Sequence, residues 1–194
     1  MTKENLAEKF EHLFSIIQTT KFLRKEALGG EIPFYISNFH PAQTLAMNKA
    51  IKGLINKLEN TGVEVLELNL YDIGMEILEE QLGEGEIFQL EQDMDKEEFK
   101  NALQSVLDIQ EVMMPFIQER IQSSKANVYF MTGVGNVFPF IRSHNILNNL
   151  QNVAKDAPTV LFFPGEYNGQ SLELFGKLKD DNYYRAFNLN NYKL

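Results

Sequence analysis

Apolar residues recur along this chain with two different spacings, and the alternation between them predicts the architecture. Leu6, Phe10, Leu13, Phe14 and Ile17 fall three or four residues apart, as one face of a helix does. Ala27-Leu-Gly-Gly30 breaks that pattern, and Ile32-Pro-Phe-Tyr-Ile-Ser37 follows as a short apolar run of buried-strand length. Asn38-Phe-His-Pro41 reads as a turn, with Pro41 suited to the first turn of the next helix. Met47, Ile51, Leu54, Ile55 and Leu58 form the apolar stripe of that helix, and Gly62 supplies the left-handed position that ends it. Residues 63–70 predict a second strand, so strand, helix and strand make a βαβ unit with a right-handed crossover.

The helical period then dominates from about residue 72 to 124. Asp95-Lys-Glu-Glu98 has the form of a capping box, with Phe99, Ala102, Leu103 and Val106 as the face it starts. Pro115 stands near the start of a helix that buries Phe116, Ile117 and Ile121. Residues 127–132 and 159–163 are the third and fourth strands, and residues 184–189 a fifth. Between the third and fourth, Ile146, Leu147, Leu150, Val153 and Ala154 occupy one side of a helix, with Asn145, Asn148, Asn149 and Asn152 opposite. Strands alternating with helices predict an α/β fold: a three-layer domain over residues 1–194 with a mostly parallel, four- to five-stranded sheet flanked by helices. An acidic, mainly helical insertion is expected at about residues 72–124.

Composition narrows the function. At 194 residues and 44% hydrophobic, one sizeable core is affordable, and no apolar run approaches the roughly 18 residues of a membrane span. The charged segment Met1-Thr-Lys-Glu-Asn-Leu-Ala-Glu8 lacks the apolar stretch of a secretory signal. Zero cysteines exclude disulfides and thiolate chemistry, and a cytoplasmic location is expected. A net charge of −9 argues against direct nucleic-acid binding, which needs clustered Lys and Arg. Residues 72–111 hold 13 of the 27 acids, opposed by Lys96 and Lys100 alone. Two readings fit: a solvated helical face, or a docking surface for a basic partner.

Complete catalytic signatures are missing. After the first strand stands Ser37-Asn-Phe-His-Pro-Ala-Gln-Thr44, without the Gly and Lys of a phosphate-binding loop. Gly176-Lys177 is followed by Leu178 and has Ser171 where the first Gly belongs. Gly133-Val-Gly135-Asn-Val-Phe138 starts like a dinucleotide fingerprint but puts Phe at the third Gly, and Pro139 postpones the helix. His12, His40 and His144 are scattered, and there is no Gly-x-Ser-x-Gly elbow. Neither cofactor, metal nor enzymatic activity is expected.

What remains is a set of polar loops after the third and fourth strands, at the sheet end where α/β proteins build their sites. Arg142 is suited to a forked pair with Glu166, Asp180 or Asp181, or to a ligand phosphate or partner carboxylate. Ser143 and His144 follow it, and His144 is either an acid–base group or structural. The four asparagines form either a solvent face or a recognition surface whose amides both donate and accept. Pro164-Gly165 and Asn168-Gly169 are turn dipeptides expected to present Glu166 and Tyr167 outward. Asp181 and Tyr183 complete the candidates, with Asp180 and Asp181 either turn residues or a cation site.

Thr132-Gly-Val-Gly135, Phe138-Pro-Phe-Ile-Arg-Ser-His-Asn-Ile-Leu-Asn-Asn-Leu-Gln151, Phe162-Phe-Pro-Gly-Glu-Tyr167 and Leu178-Lys-Asp-Asp-Asn-Tyr-Tyr-Arg-Ala-Phe187 together closely resemble the BrxB family. Gly29-Gly-Glu-Ile-Pro-Phe34 and Leu66-Glu-Leu-Asn-Leu-Tyr-Asp72 extend the resemblance over essentially the whole chain. It implies a component of the bacterial BREX phage-exclusion system, which marks host DNA by adenine methylation and blocks replication of unmarked phage DNA. It further implies an accessory, non-catalytic assembly subunit that binds the phosphatase-like PglZ protein, with the methyltransferase and ATPase of the system as further partners. The family offers no agreed catalytic residues. The strand order also resembles a P-loop NTPase core without its Walker A loop, a likeness that does not establish activity. The alternative is a nucleotide-responsive regulator or cryptic enzyme using Arg142, His144, Glu166 and Asp181.

Overall fold

A computed structural model describes residues 4–26, 33–141, 143–179 and 184–193, with the backbone alone for residues 143, 144 and 151. Its strands are β1 (Phe34–Phe39), β2 (Val65–Asn69), β3 (Val128–Thr132), β4 (Thr159–Tyr167), β5 (Leu172–Leu174), β6 (Leu178–Lys179) and β7 (Phe187–Asn188). Five of them run parallel in the order β2-β3-β4-β1-β7. The side-chain period of two then sorts each strand between two cores. Tyr35, Phe39, Val128, Phe130, Val160 and Phe162 point to one. Phe34, Ile36, Tyr129, Met131, Leu161 and Phe163 point to the other. Near-continuous apolar runs are what a sheet covered on both faces requires.

On the first face pack α1 (Leu6–Ile17), α2 (Thr20–Leu23) and α3 (Thr44–Glu59), through Leu13, Ile17, Phe22, Met47, Ile51 and Leu58. On the second pack α4 (Leu70–Leu82), α5 (Glu86–Asp93), α6 (Lys96–Val106), α7 (Met114–Ser123) and α8 (Ser143–Val153). The α/β class and mostly parallel, helix-flanked sheet thus follow the expectation. The capping box forms at α6: Asp95 Oδ1 accepts from the Glu97 and Glu98 amides at 2.8 and 2.9 Å, and Glu98 Oε2 accepts from the Asp95 amide at 3.2 Å. Pro115 takes the first turn of α7, after a π-helical turn at Ile109–Met113 that the spacing did not predict.

Three boundaries differ most from the sequence reading. Asn38 and Phe39 are strand rather than turn, paired with Phe163 and Pro164 of β4. The fifth parallel strand shrinks to Phe187–Asn188. The largest change is at Pro164-Gly165, which is not a turn. β4 continues through it to Tyr167, leaving the parallel sheet to pair antiparallel with β5, and β5 with β6. Gly165 is needed there for close approach, since a Cβ would lie 2.1 Å from the Glu173 carbonyl oxygen.

Because that segment is a strand, its side chains alternate, and Tyr167 is buried rather than presented outward. Its hydroxyl donates to the Ala186 carbonyl at 2.8 Å, tying β4 to the chain entering β7. Glu166 takes the exposed alternate position.

Candidate functional site

The crevice where an open α/β sheet usually holds its ligand lies over the end of β4, between the ends of β1 and β3, whose helices α3 and α8 leave to opposite faces. Here it is filled. About 10 Å³ remains among Phe39, Thr44, Thr132, Gly135, Phe162 and Pro164, roughly the space of one water. The glycines of Thr132-Gly-Val-Gly135 account for the closure. Gly133 sits at φ +73°, and a Cβ there would lie 2.2 Å from Asn69 Oδ1, the oxygen that caps α4 through the Tyr71 and Asp72 amides. A Cβ at Gly135 would meet the Phe175 ring and Pro164, each at 2.9 Å. These glycines let neighbouring loops touch. Thr132 completes the seam by donating its hydroxyl to Glu67 Oε1 at 2.7 Å.

The β1–β7 side of the same sheet end holds a polar network. Ser37 Oγ donates to Asn190 Oδ1 at 2.9 Å, and Asn190 Nδ2 donates to the Asn38 carbonyl and Oδ1, both at 2.9 Å. Lys9 Nζ donates to the Asn38 carbonyl at 2.5 Å and to Glu4 Oε2 at 2.6 Å. Burial pushes the Lys9 ammonium below its ordinary value, against the opposing pull of Glu4. The signal in the sequence was Ser37, a hydroxyl at the end of an otherwise apolar run. Its bonds are internal, so the network locks β1 to the chain after β7.

Two grooves that share the Phe140 side chain open on the α4–α8 face. The first, about 570 Å³, is lined by Gln104, Asp108, Gln110, Asn145 and Asn149 over a floor that includes Leu107. The second, about 250 Å³, is mainly apolar and runs between Tyr71, Met75, Phe88, Phe99 and Leu103. The loop between them is pinned from both sides. Gln104 Nε2 donates to the Pro139 carbonyl at 3.1 Å, and Phe99 meets Phe140 edge-on at 6.2 Å. Phe138 rests edge-on against Phe175 at 6.4 Å.

Of the candidate residues, Asn145 and Asn149 meet across the first groove with side chains from α6 and the π-turn. Asn149 Nδ2 also donates to the Asn145 carbonyl at 2.7 Å, one turn back. Asn148 and Asn152 are exposed on the same helix. Glu166 and Tyr167 line neither groove. Arg142, Asp181 and Tyr183 lie outside the described residues, as do the side chains of Ser143 and His144, so the forked pair expected for Arg142 is not placed. Gln104, Gln110 and Phe140 were missed, because only the approach of α6 to α8 makes them neighbours. Phe88 was missed too, although its place one residue beyond the buried Ile87 marks it as off the apolar stripe. Among the described residues no three His, Asp or Glu side chains gather as a metal would need, and no helix is long and apolar enough to cross a membrane.

Fold and surface together define a doubly covered α/β domain whose described residues nearly fill the crevice at the strand ends and leave two grooves on the α4–α8 face. The family model for the BREX protein BrxB matches residues 66–189. A BREX protein BrxB of Bacillus cereus (strain H3081.97) is 37% identical over 186 residues, covering 94% of this chain and 96% of that one. Another, of Escherichia coli O9:H4 (strain HS), is 29% identical over 184 residues, covering 95% and 91%. The chain belongs to the BrxB family, as its motifs indicated. No solved structure matches it.

Proposed function

We propose that the protein serves BREX phage defence as a non-catalytic assembly subunit that binds PglZ and, through it or beside it, the methyltransferase and ATPase of the system. One observation carries this reading. The crevice where a sheet of this kind would hold a substrate has about 10 Å³ free among the described residues, while a groove of about 570 Å³ on the α4–α8 face is lined largely by side-chain amides. Side-chain amides that both donate and accept suit recognition of another protein's polar groups. The acids on the same face steer a basic partner into register.

Co-expression with PglZ followed by affinity purification tests the proposal. Stoichiometric co-elution of the two chains is the expected result. A chain that captures neither PglZ nor another BREX protein at micromolar concentration overturns it. Charge reversals on α4 to α6 are expected to weaken the complex.

A further inference from the structure

The net charge of this protein is confined to one part of it. Residues 70–106, which span α4, α5 and α6, carry 11 acids against Lys96 and Lys100, a balance of −9 that equals the charge of the whole chain. The remaining residues carry 16 charges of each sign. The same three helices enclose the 250 Å³ apolar groove, and they leave Phe88 62% and Tyr71 44% exposed along it. Exposed aromatic rings beside an apolar trough are uncommon where no partner covers them. The volume lies below the roughly 300–1,000 Å³ of small-molecule pockets, and its open shape suits side-chain anchors instead.

Charge surrounds the trough closely. Glu91 lines it on α5. On α4, Asp72 precedes the groove residue Met75 by three positions and Glu79 follows it by four, so all three share one face. Lys100, one of the two lysines, is paired with Glu97. An apolar trough edged by carboxylates is complementary to an amphipathic helix with aliphatic anchors on one face and Lys or Arg on the other. We infer that the groove between α4, α5 and α6 docks a basic amphipathic helix of a protein partner. This rests on the assembly reading above and gives that assembly its contact.

The test uses the full chain and a fluorescent helical peptide of about 18 residues with Leu on one face and Lys on the other. A second peptide keeps the Leu face and replaces Lys by Glu. The basic peptide is expected to bind with salt-sensitive affinity and the acidic one not at all. Phe88→Glu separates the groove from simple charge attraction, because the variant is more negative yet loses an anchor at a position too exposed to affect folding. Binding of the basic peptide is expected to fall about tenfold or more in Phe88→Glu. Unchanged or tighter binding there, or equal binding of the acidic peptide, overturns the inference.

PglZ capture by Phe88→Glu and by Met75→Glu keeps the two readings apart. A complex that survives both Phe88→Glu and Met75→Glu overturns the groove and leaves the assembly reading standing. A wild-type chain that captures no BREX protein overturns the assembly reading, and the peptide result then decides the groove alone. Self-association of the wild type that Phe88→Glu abolishes assigns the groove to a second copy, whose α3 offers Leu45 (88% exposed) beside Lys49 and Lys52, and also overturns the inference.

Discussion

Gly165 and Gly53 look alike in the sequence and sit in opposite surroundings. At Gly165 an added methyl group meets the Glu173 carbonyl at 2.1 Å and the Phe163 ring at 2.8 Å, and the first of these is backbone that cannot swing aside. At Gly53, on the exposed side of α3, nothing lies within 4 Å. Gly165→Ala is therefore expected to cost roughly 1–3 kcal/mol, as overpacking does. Gly53→Ala is expected to gain about 0.5–1 kcal/mol, the helix penalty of glycine. Urea midpoints of the two variants check both signs. The pair also marks a limit of sequence reading at this scale. Glycine announces that a Cβ is unwanted, but not whether a turn, a ligand or another strand takes its place. At Gly133, Gly135 and Gly165 it was another part of the same chain.

The elements that were legible are those whose burial is complete. β1, β3 and β4 read as continuous apolar runs because both faces are covered, and α3, α6 and α7 read as stripes because one face is. β4 was cut short because Pro-Gly is a turn signal wherever nothing overrides it. Here pairing with β5, itself only three residues long and weak in pattern, does override it. Helix α8 presents a sharper question. Asn148 and Asn152 are exposed, and asparagine is a poor helix former, so replacing both by Ala should stabilise α8 by about 1 kcal/mol in total. If the amide face holds a partner, the same variant loses PglZ in a pull-down while its urea midpoint rises. A more stable variant with its complex intact identifies a solvent face instead.

Stability against pH belongs to the molecule as a whole, because two buried phenols sit on opposite faces of the sheet. Tyr35 packs in the core under α1 and α3, against Phe22, Phe187 and Tyr192. Tyr129 packs in the other core, where the negative charge of Asp156 adds to the effect of burial. Burial pushes both phenols above their ordinary value of 10.0. A folded value above the unfolded one means that their contribution is fully present below pH 10.0 and is lost as the unfolded chain ionises at higher pH. Lys9 works in the other sense. Its lowered value makes its burial cost greatest near neutrality and smaller as pH approaches 10.5. Tyr35→Phe is thus expected to flatten the fall in urea midpoint between about pH 9 and about pH 11, and an unaltered slope refutes the assignment. At this scale the charge imbalance was legible from the sequence, while the grooves were not. They arise where α6 meets α4 and α5 on one side and the Phe140 loop and α8 on the other, across tens of residues.

The two ends of the sheet bear on how such a molecule meets its neighbours. One end is β2, five residues long, with the carboxylate of Glu67 turned to Thr132; the other is β7, of two residues. Short strands and an inward-facing charge are the features that keep an edge from templating a foreign strand. Neither edge of the parallel sheet invites backbone pairing, which leaves side chains on the helices as the surface suited to another chain. Affinity can then be adjusted one surface residue at a time, with the hydrogen-bonded framework beneath left as it is.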